Sequence, residues 1–298
     1  MKLDLRTFDV GHVCNSPADF AAKVVQLTRA SWNDGAEIVV FPEFTWMGLE
    51  RFVDEKNALM AVADLFWTQL WPVLRDELSI PDKAVVLGTV PFIDADGSVR
   101  NRAPILSDGE FIYQDKIHLT PWEDAFRGGG PVRLWKFKGL TIAVIICLDI
   151  EIPEISAALR SSQVDLILVP SATESLLGVE RVGRCADARS VELGCQVGLC
   201  HLVGRMTSQW VDENIGRMAL FSPSQSPFLE TQRQQLSAIH EEGFHCMSVE
   251  IDIDSIRRSR SIRQETNPVN ISATPIAVED FVSTPDLHGS AAPEKQTP

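Results

Sequence analysis

The chain has 298 residues, a formal net charge of −14 at pH 7, 45% hydrophobic and 23% charged residues. That composition fits a globular protein with a sizeable core, and the acidic balance argues against a nucleic-acid surface, which needs clustered Lys and Arg. Its six cysteines (Cys14, Cys147, Cys185, Cys195, Cys200 and Cys246) are scattered rather than paired, the pattern of reduced thiols, and no uncharged apolar run reaches the roughly 18 residues that cross a bilayer.

The amino terminus, MKLDLRTFDV, alternates apolar and charged residues; it reads as a first strand over 2–10, not as a signal peptide. Ser16-Pro17 then places an N-cap and a first-position proline at the start of a helix running to about Ser31. Ile38 to Phe41 is a short buried strand. A long helix is predicted over 57–78, with Pro72 inside it imposing a kink or a break. A third strand covers 84–93 and ends at the Asp94-Ala95-Asp96-Gly97 turn. Two hairpins follow, 99–106 with 110–116 across Ser107-Asp108-Gly109, and 134–137 with 141–147 across Lys138-Gly139.

Beyond Cys147 the order is helix (153–160), strand (164–169), helix (179–193) and strand (196–201), with 218–221 and 246–253 completing the sheet system. This alternation predicts a layered α/β protein with helices over a mostly buried sheet. No linker interrupts it, so one domain is expected over 1–270. From there to residue 298 the chain turns to Pro, Ser, Ala, Thr and acidic residues, a tail expected to be disordered or draped over a partner subunit.

Three strand ends carry chemistry. AEIVVFPEF sets Glu43 after an apolar strand, EFIYQDKIHL sets Lys116 at the end of another, and GLTIAVIICLDIEIPE ends an apolar run at Cys147. The carboxyl ends of strands are where open α/β sheets bind ligands. A carboxylate, an amine and a thiol there would supply a base, a cation and a nucleophile. Alone, each has a plainer reading: a buried cysteine is usually packing, a glutamate after Phe-Pro can cap a turn, and a lysine at a hairpin end usually faces solvent.

With FPEF, YQDKIHLTPWE and CLDIEIPE in order, and DLILVPSATES after them, the chain resembles the nitrilase, or carbon–nitrogen hydrolase, superfamily over roughly residues 3–265. The resemblance implies a four-layer α-β-β-α sandwich and a catalytic set of Glu43, Lys116 and Cys147. It adds Glu123, seven residues past Lys116, as a supporting acid, with neighbouring Asp124 as the rival assignment. It further implies a thioester cycle on a small-molecule amide, carbamoyl or nitrile substrate, with amide or carbamoyl preferred over nitrile and with no cofactor or metal. Subunits of this kind pair through helices near the nucleophile, here 153–160 and 179–193, so a homodimer or higher homo-oligomer in the cytoplasm is expected. A non-catalytic ligand-binding or interaction relative is the rival from another class.

The histidines of HEEGFHC stand five apart, at 240 and 245, unlike the four of a zinc-binding helix. Cys195, Cys200 and His201 fall on one predicted strand with alternating sides and read as core. The basic run IRRSRSIRQ, 256–264, is expected to pair with acidic surfaces of this chain or of a second subunit. Trp46, Trp122 and His118 are candidate pocket residues. The loops after Trp46, around Arg127 and after Ser171 are expected to shape the pocket.

Overall fold

Segments such as Ile38-Val39-Val40-Phe41 and Ala84-Val85-Val86-Leu87 are apolar at every position because both of their faces are covered. A computed structural model describes residues 1–53, 55–228 and 233–262. With strands numbered in chain order, its first sheet runs β15 (Cys246–Glu250), β1 (Lys2–Arg6), β3 (Ile38–Phe41), β4 (Ala84–Leu87), β6 (Val99–Ser107) and β5 (Val90–Ile93), and β7 (Glu110–Asp115) also pairs with β6. The second runs β14 (Gln234–Leu236), β13 (Ala219–Phe221), β11 (Gln196–Arg205), β10 (Leu166–Ser171), β9 (Leu140–Val144) and β8 (Leu134–Phe137). The short strands β2 (Phe8–Asp9) and β12 (Glu213–Asn214) pair with β11. Each sheet has a parallel centre, β1-β3-β4 in one and β9-β10-β11 in the other.

Side-chain alternation builds the layers. Leu3, Leu5, Ile38, Val40 and Val86 join one apolar cluster with residues of the second sheet. Their neighbours Val39, Phe41, Val85 and Leu87 join another, with Phe20 and Val24 of helix α1 (Pro17–Asn33) and Leu74 of a later helix. Gly198 of β11 lets the sheets approach closely: a Cβ there would lie 3.1 Å from a Leu3 methyl and 3.2 Å from a Leu5 methyl. Helices α4 (Pro153–Leu159) and α5 (Leu176–Leu193) bury Ile155, Leu159, Val182 and Ala186 in the cluster of the second sheet. The result is a layered α-β-β-α arrangement.

Most expected elements are present, with instructive shifts. Ser16 caps α1 and accepts from the Asp19 amide, with Pro17 in the first turn. The expected 57–78 helix is present as α2 (Ala58–Asp64), a π-helical turn (Leu65–Leu70) and α3 (Trp71–Leu78) in unbroken succession, with Pro72 just after the π-helical turn. The 84–93 strand divides into β4 and β5 at Gly88, whose φ is +73°. A Cβ there would lie 2.2 Å from the Pro42 carbonyl oxygen. Helix α5 begins at Leu176, earlier than expected, because the Ser175 side chain accepts from the Gly178 amide.

Elements among those described that went unpredicted include the short strand β12 and a 3-10 helix over Thr45–Phe52, and two near the carboxyl-terminal end. One is β14; the other is a carboxyl-terminal helix, Ile253–Ser261, capped by Asp252 accepting from the Ser255 amide. That helix takes up part of the basic run within this chain: Arg260 pairs with Asp165 at 2.6 Å, and Arg257 donates to the Gly139 carbonyl. The expected tail, 271–298, lies outside the described residues.

Candidate active site

The strand before the thiol ends at Val144, three residues earlier than the sequence suggested, although the Ile145 amide still bonds to the Leu168 carbonyl. The reason is backbone geometry. Cys147 adopts a φ of +47° and opens a 3-10 turn, Cys147–Glu151, so the ladder cannot continue through it. Phe44, next to Glu43, is bent in the same way at +58°. Non-glycine residues held at positive φ are strained positions that collect at functional sites. The Glu43 turn is tied down by the Phe44 amide donating to Thr89 Oγ1 and by Thr45 Oγ1 donating to the Pro42 carbonyl, both at 2.8 Å.

These turns bring four distant residues together below the surface. Lys116 Nζ donates to Glu43 Oε1 at 2.8 Å and to Glu123 Oε2 at 2.7 Å, and all three side chains are buried. Asn101 Nδ2 bridges the same carboxylates, at 2.9 Å to Glu43 Oε1 and 3.1 Å to Glu123 Oε1. The Thr120 amide adds a bond to Glu123 Oε2, and the Ala172 amide one to Glu43 Oε2. The Cys147 thiol lies beside Glu43, close enough to hydrogen-bond to it, and Ser171 Oγ donates to its sulfur at 3.1 Å. Asp124, the rival to Glu123, is exposed.

Asp149 was not anticipated. It is buried, and it accepts from the Ile117 amide at 2.9 Å, the His118 amide at 2.7 Å and, from Oδ1, engages His118 Nδ1 at 3.0 Å. It thereby pins the residues just after Lys116 to the turn that carries Cys147. Asn101 was missed too: it lies inside strand β6, far along the chain from every reacting group, where an amide has no sequence signature of its own.

Burial sets the electrostatics. It raises the Glu43 carboxyl above its ordinary range, with the Glu123 charge adding to it and Lys116 opposing. Burial also works against the charge on Lys116, but Glu43, Cys147 and Glu123 outweigh it and raise its pKa. The Cys147 thiol is pushed up to about 12, by burial and then by the Glu43 charge, with Lys116 and the Ser171 hydroxyl opposing. The resting thiol is therefore protonated, and its nucleophilic form needs a base.

The group forms the floor of a pocket of about 260 Å³, lined by Glu43, Lys116, Glu123 and Cys147 and walled by, among others, Trp122, Glu151, Thr173, Arg181 and Trp210. Trp122 is 79% exposed at its mouth. Trp46 is core instead: it is fully buried, with its indole N–H on the Leu87 carbonyl. The loop after Ser171 lines the pocket as expected, but the Arg127 loop does not; Arg127 pairs with Asp96, and the segment from Gln209 to Asn214 takes that wall. Arg181 bonds Glu151 at 2.7 Å across the rim. His240 and His245 stack ring on ring, and no cluster of three or more metal-binding side chains exists among the described residues. No helix among them is long and apolar enough to cross a membrane.

Comparison with known proteins gives the family and the fold. The family model "Carbon-nitrogen hydrolase" matches residues 9–260. The chain belongs to the carbon–nitrogen hydrolase family, a class of enzymes. It is 28% identical over 216 residues to the "Probable hydrolase YhcX" of Bacillus subtilis, covering 70% of this chain and 42% of that protein. It is 28% identical over 160 residues to an (R)-stereoselective amidase of Pseudomonas sp., covering 53% and 56%. The chain thus spans about half the length of these curated relatives. Among solved structures, Nit3 of Saccharomyces cerevisiae, a nitrilase superfamily member, superposes with a TM-score of 0.64 at 20% identity over 87% of this chain and 93% of that one. An amidase from Nesterenkonia sp. gives 0.63 at 19% over 88% and 94%. A superfamily protein of Xanthomonas campestris gives 0.70 at 17% over 93% and 100%. These likenesses establish the nitrilase-type fold.

Proposed function

We propose that the protein hydrolyses the carbon–nitrogen bond of a small amide through a thioester on Cys147. The observation that carries this reading is a buried thiol against the Glu43 carboxyl, with Lys116 Nζ 2.8 Å from the same carboxyl, at the floor of a small pocket. Glu43 takes the thiol proton as sulfur attacks the carbonyl carbon. The negative oxygen that develops is met by Lys116 and by the amide of Leu148, a pocket-lining residue one step past the nucleophile; one such donor is worth about 3–4 kcal/mol. Glu43 then protonates the departing ammonia or amine. In the second half, Glu43 activates water, which adds to the thioester, and the acid leaves as sulfur recovers its proton. Glu123, bound to Lys116, Asn101 and the Thr120 amide, holds the ammonium in place.

The amidase relative from Pseudomonas sp. supports an amide over a nitrile. The reading extends to a cytoplasmic enzyme of one domain over 1–270, paired with a second copy through α4 and α5. Leu176 and Leu177, 52% and 79% exposed at the start of α5, support that pairing. Ammonia release from a panel of amides, carbamoyl amino acids and nitriles tests the activity. Amides should be turned over by the wild type and not by Cys147→Ala. Full activity in Cys147→Ala would refute the nucleophile, and turnover of nitriles alone would refute the amide preference.

A further inference from the structure

Strand β10 reads Leu-Ile-Leu-Val-Pro-Ser, apolar at every position except its last. Ser171 is fully buried, in register with His201 on β11, and its hydroxyl donates to Cys147 Sγ at 3.1 Å. Among the described residues that hydroxyl has no other hydrogen-bond partner. A polar group kept at the end of an apolar strand, and aimed at one sulfur, needs a reason beyond packing.

We infer that Ser171 is a further catalytic residue, whose hydroxyl stabilises the negative charge on the Cys147 sulfur each time that sulfur becomes a thiolate. The inference rests on the reading of Cys147 as nucleophile. In that cycle the sulfur is anionic twice. It is so first as its proton passes to Glu43 and the S–C bond forms. It is so again as the C–S bond of the water adduct breaks, the electron pair staying on sulfur until Glu43 returns the proton. Two of the three Lys116 N–H donors are spent on Glu43 and Glu123, and the third is the one assigned to the developing negative oxygen. The Ala172 carbonyl, 3.6 Å from the sulfur, offers an acceptor to the resting thiol and nothing to the thiolate. Ser171 is the donor dedicated to the charged form, and a hydrogen bond to a charged group is about twice as strong as one between neutral groups.

The test is the rate at which methyl methanethiosulfonate modifies Cys147, read site by site with peptide mass spectrometry across a pH series, in Ser171→Ala and Ser171→Thr. Losing a bond to a charged group lowers the thiolate population roughly tenfold to a hundredfold at a given pH. The less stabilised thiolate is more nucleophilic, with a Brønsted coefficient of about 0.4–0.5, so the observed rate falls by only about three- to tenfold, with its rise displaced to higher pH. Ser171→Thr keeps the hydroxyl and should return both rate and profile toward wild type. A purely structural role would slow modification without moving the pH profile. An unchanged profile in Ser171→Ala would overturn the inference, as would a Ser171→Thr variant as impaired as Ser171→Ala. Because the readout is the thiol itself, an inactive Cys147→Ala alongside an unmoved Ser171→Ala profile would sink this inference and leave the nucleophile reading standing.

Discussion

Asp149→Asn isolates the clamp between the lysine segment and the nucleophile turn. The aspartate accepts two backbone amides, Ile117 through Oδ2 at 2.9 Å and His118 through Oδ1 at 2.7 Å. An asparagine presents one acceptor oxygen and one NH2, so it satisfies one of those amides and opposes the other. A lost hydrogen bond to a charged group costs about 1.5–3 kcal/mol, and an unpaired buried donor about 1–3 more. The sum, about 2.5–6 kcal/mol, is a large part of a typical stability of about 5–15 kcal/mol. Ile117 directly follows Lys116, so the residues freed are those that aim the ammonium. A displacement of about 1 Å at such a group can cost about a hundredfold in rate. Thermal unfolding and steady-state kinetics, run well below the melting midpoint, should show a lowered midpoint and kcat reduced by about that factor. His118→Ala, which removes only the ring's contact, should keep most of the rate. Wild-type kcat and an unchanged midpoint in Asp149→Asn would refute the clamp.

Glu43 must be ionised to act as base, and burial raises its pKa above the ordinary 4.5; the acid limb of kcat/KM should therefore fall at a midpoint above that value, and a midpoint at or below it would contradict the assigned base. His201 is fully buried, bonds the Arg217 carbonyl through Nδ1, and is lowered from 6.5 to about 4, first by burial. Its folded pKa is depressed, so the unfolded chain binds the extra proton between those values; stability from this group is complete above pH 6.5 and lost as pH falls toward 4. The loss amounts to about 3 kcal/mol, and denaturant unfolding of His201→Asn should show a correspondingly flatter pH dependence over that window. Trp122→Ala, at an exposed pocket rim, should leave the unfolding free energy within about 0.5 kcal/mol of wild type while raising KM; equal loss of kcat and stability would mean the indole is structural.

The parts of the fold legible in sequence were those written in local pattern. Ile38–Phe41 was delimited by its all-apolar run, α1 by Ser16 and Pro17, and the hairpins by Ser107-Asp108-Gly109 and Lys138-Gly139. What local pattern could not supply was set by tertiary contact. Gly88 divides a strand because the Pro42 carbonyl presses on it from another segment, and Cys147 leaves its strand through a left-handed turn that no apolar run announces. Within the site, Glu43, Lys116 and Cys147 were findable as charged or reactive groups at strand ends, and Glu123, in a loop, only through the family resemblance. Asn101 sits inside a strand, where an amide has no distinctive neighbours. Ser171 reads as an ordinary strand end, and the pocket wall from Gln209 to Asn214 falls where periodicity is lost.

Quenching the protein during turnover of a reactive small amide and weighing its peptides asks most directly whether sulfur carries the acyl group. The Cys147 peptide should appear heavier by the acyl fragment, alone among the six cysteine peptides, and hydroxylamine should remove the added mass. Turnover with an unmodified Cys147 peptide, or with the acyl group on another side chain, would contradict the thioester.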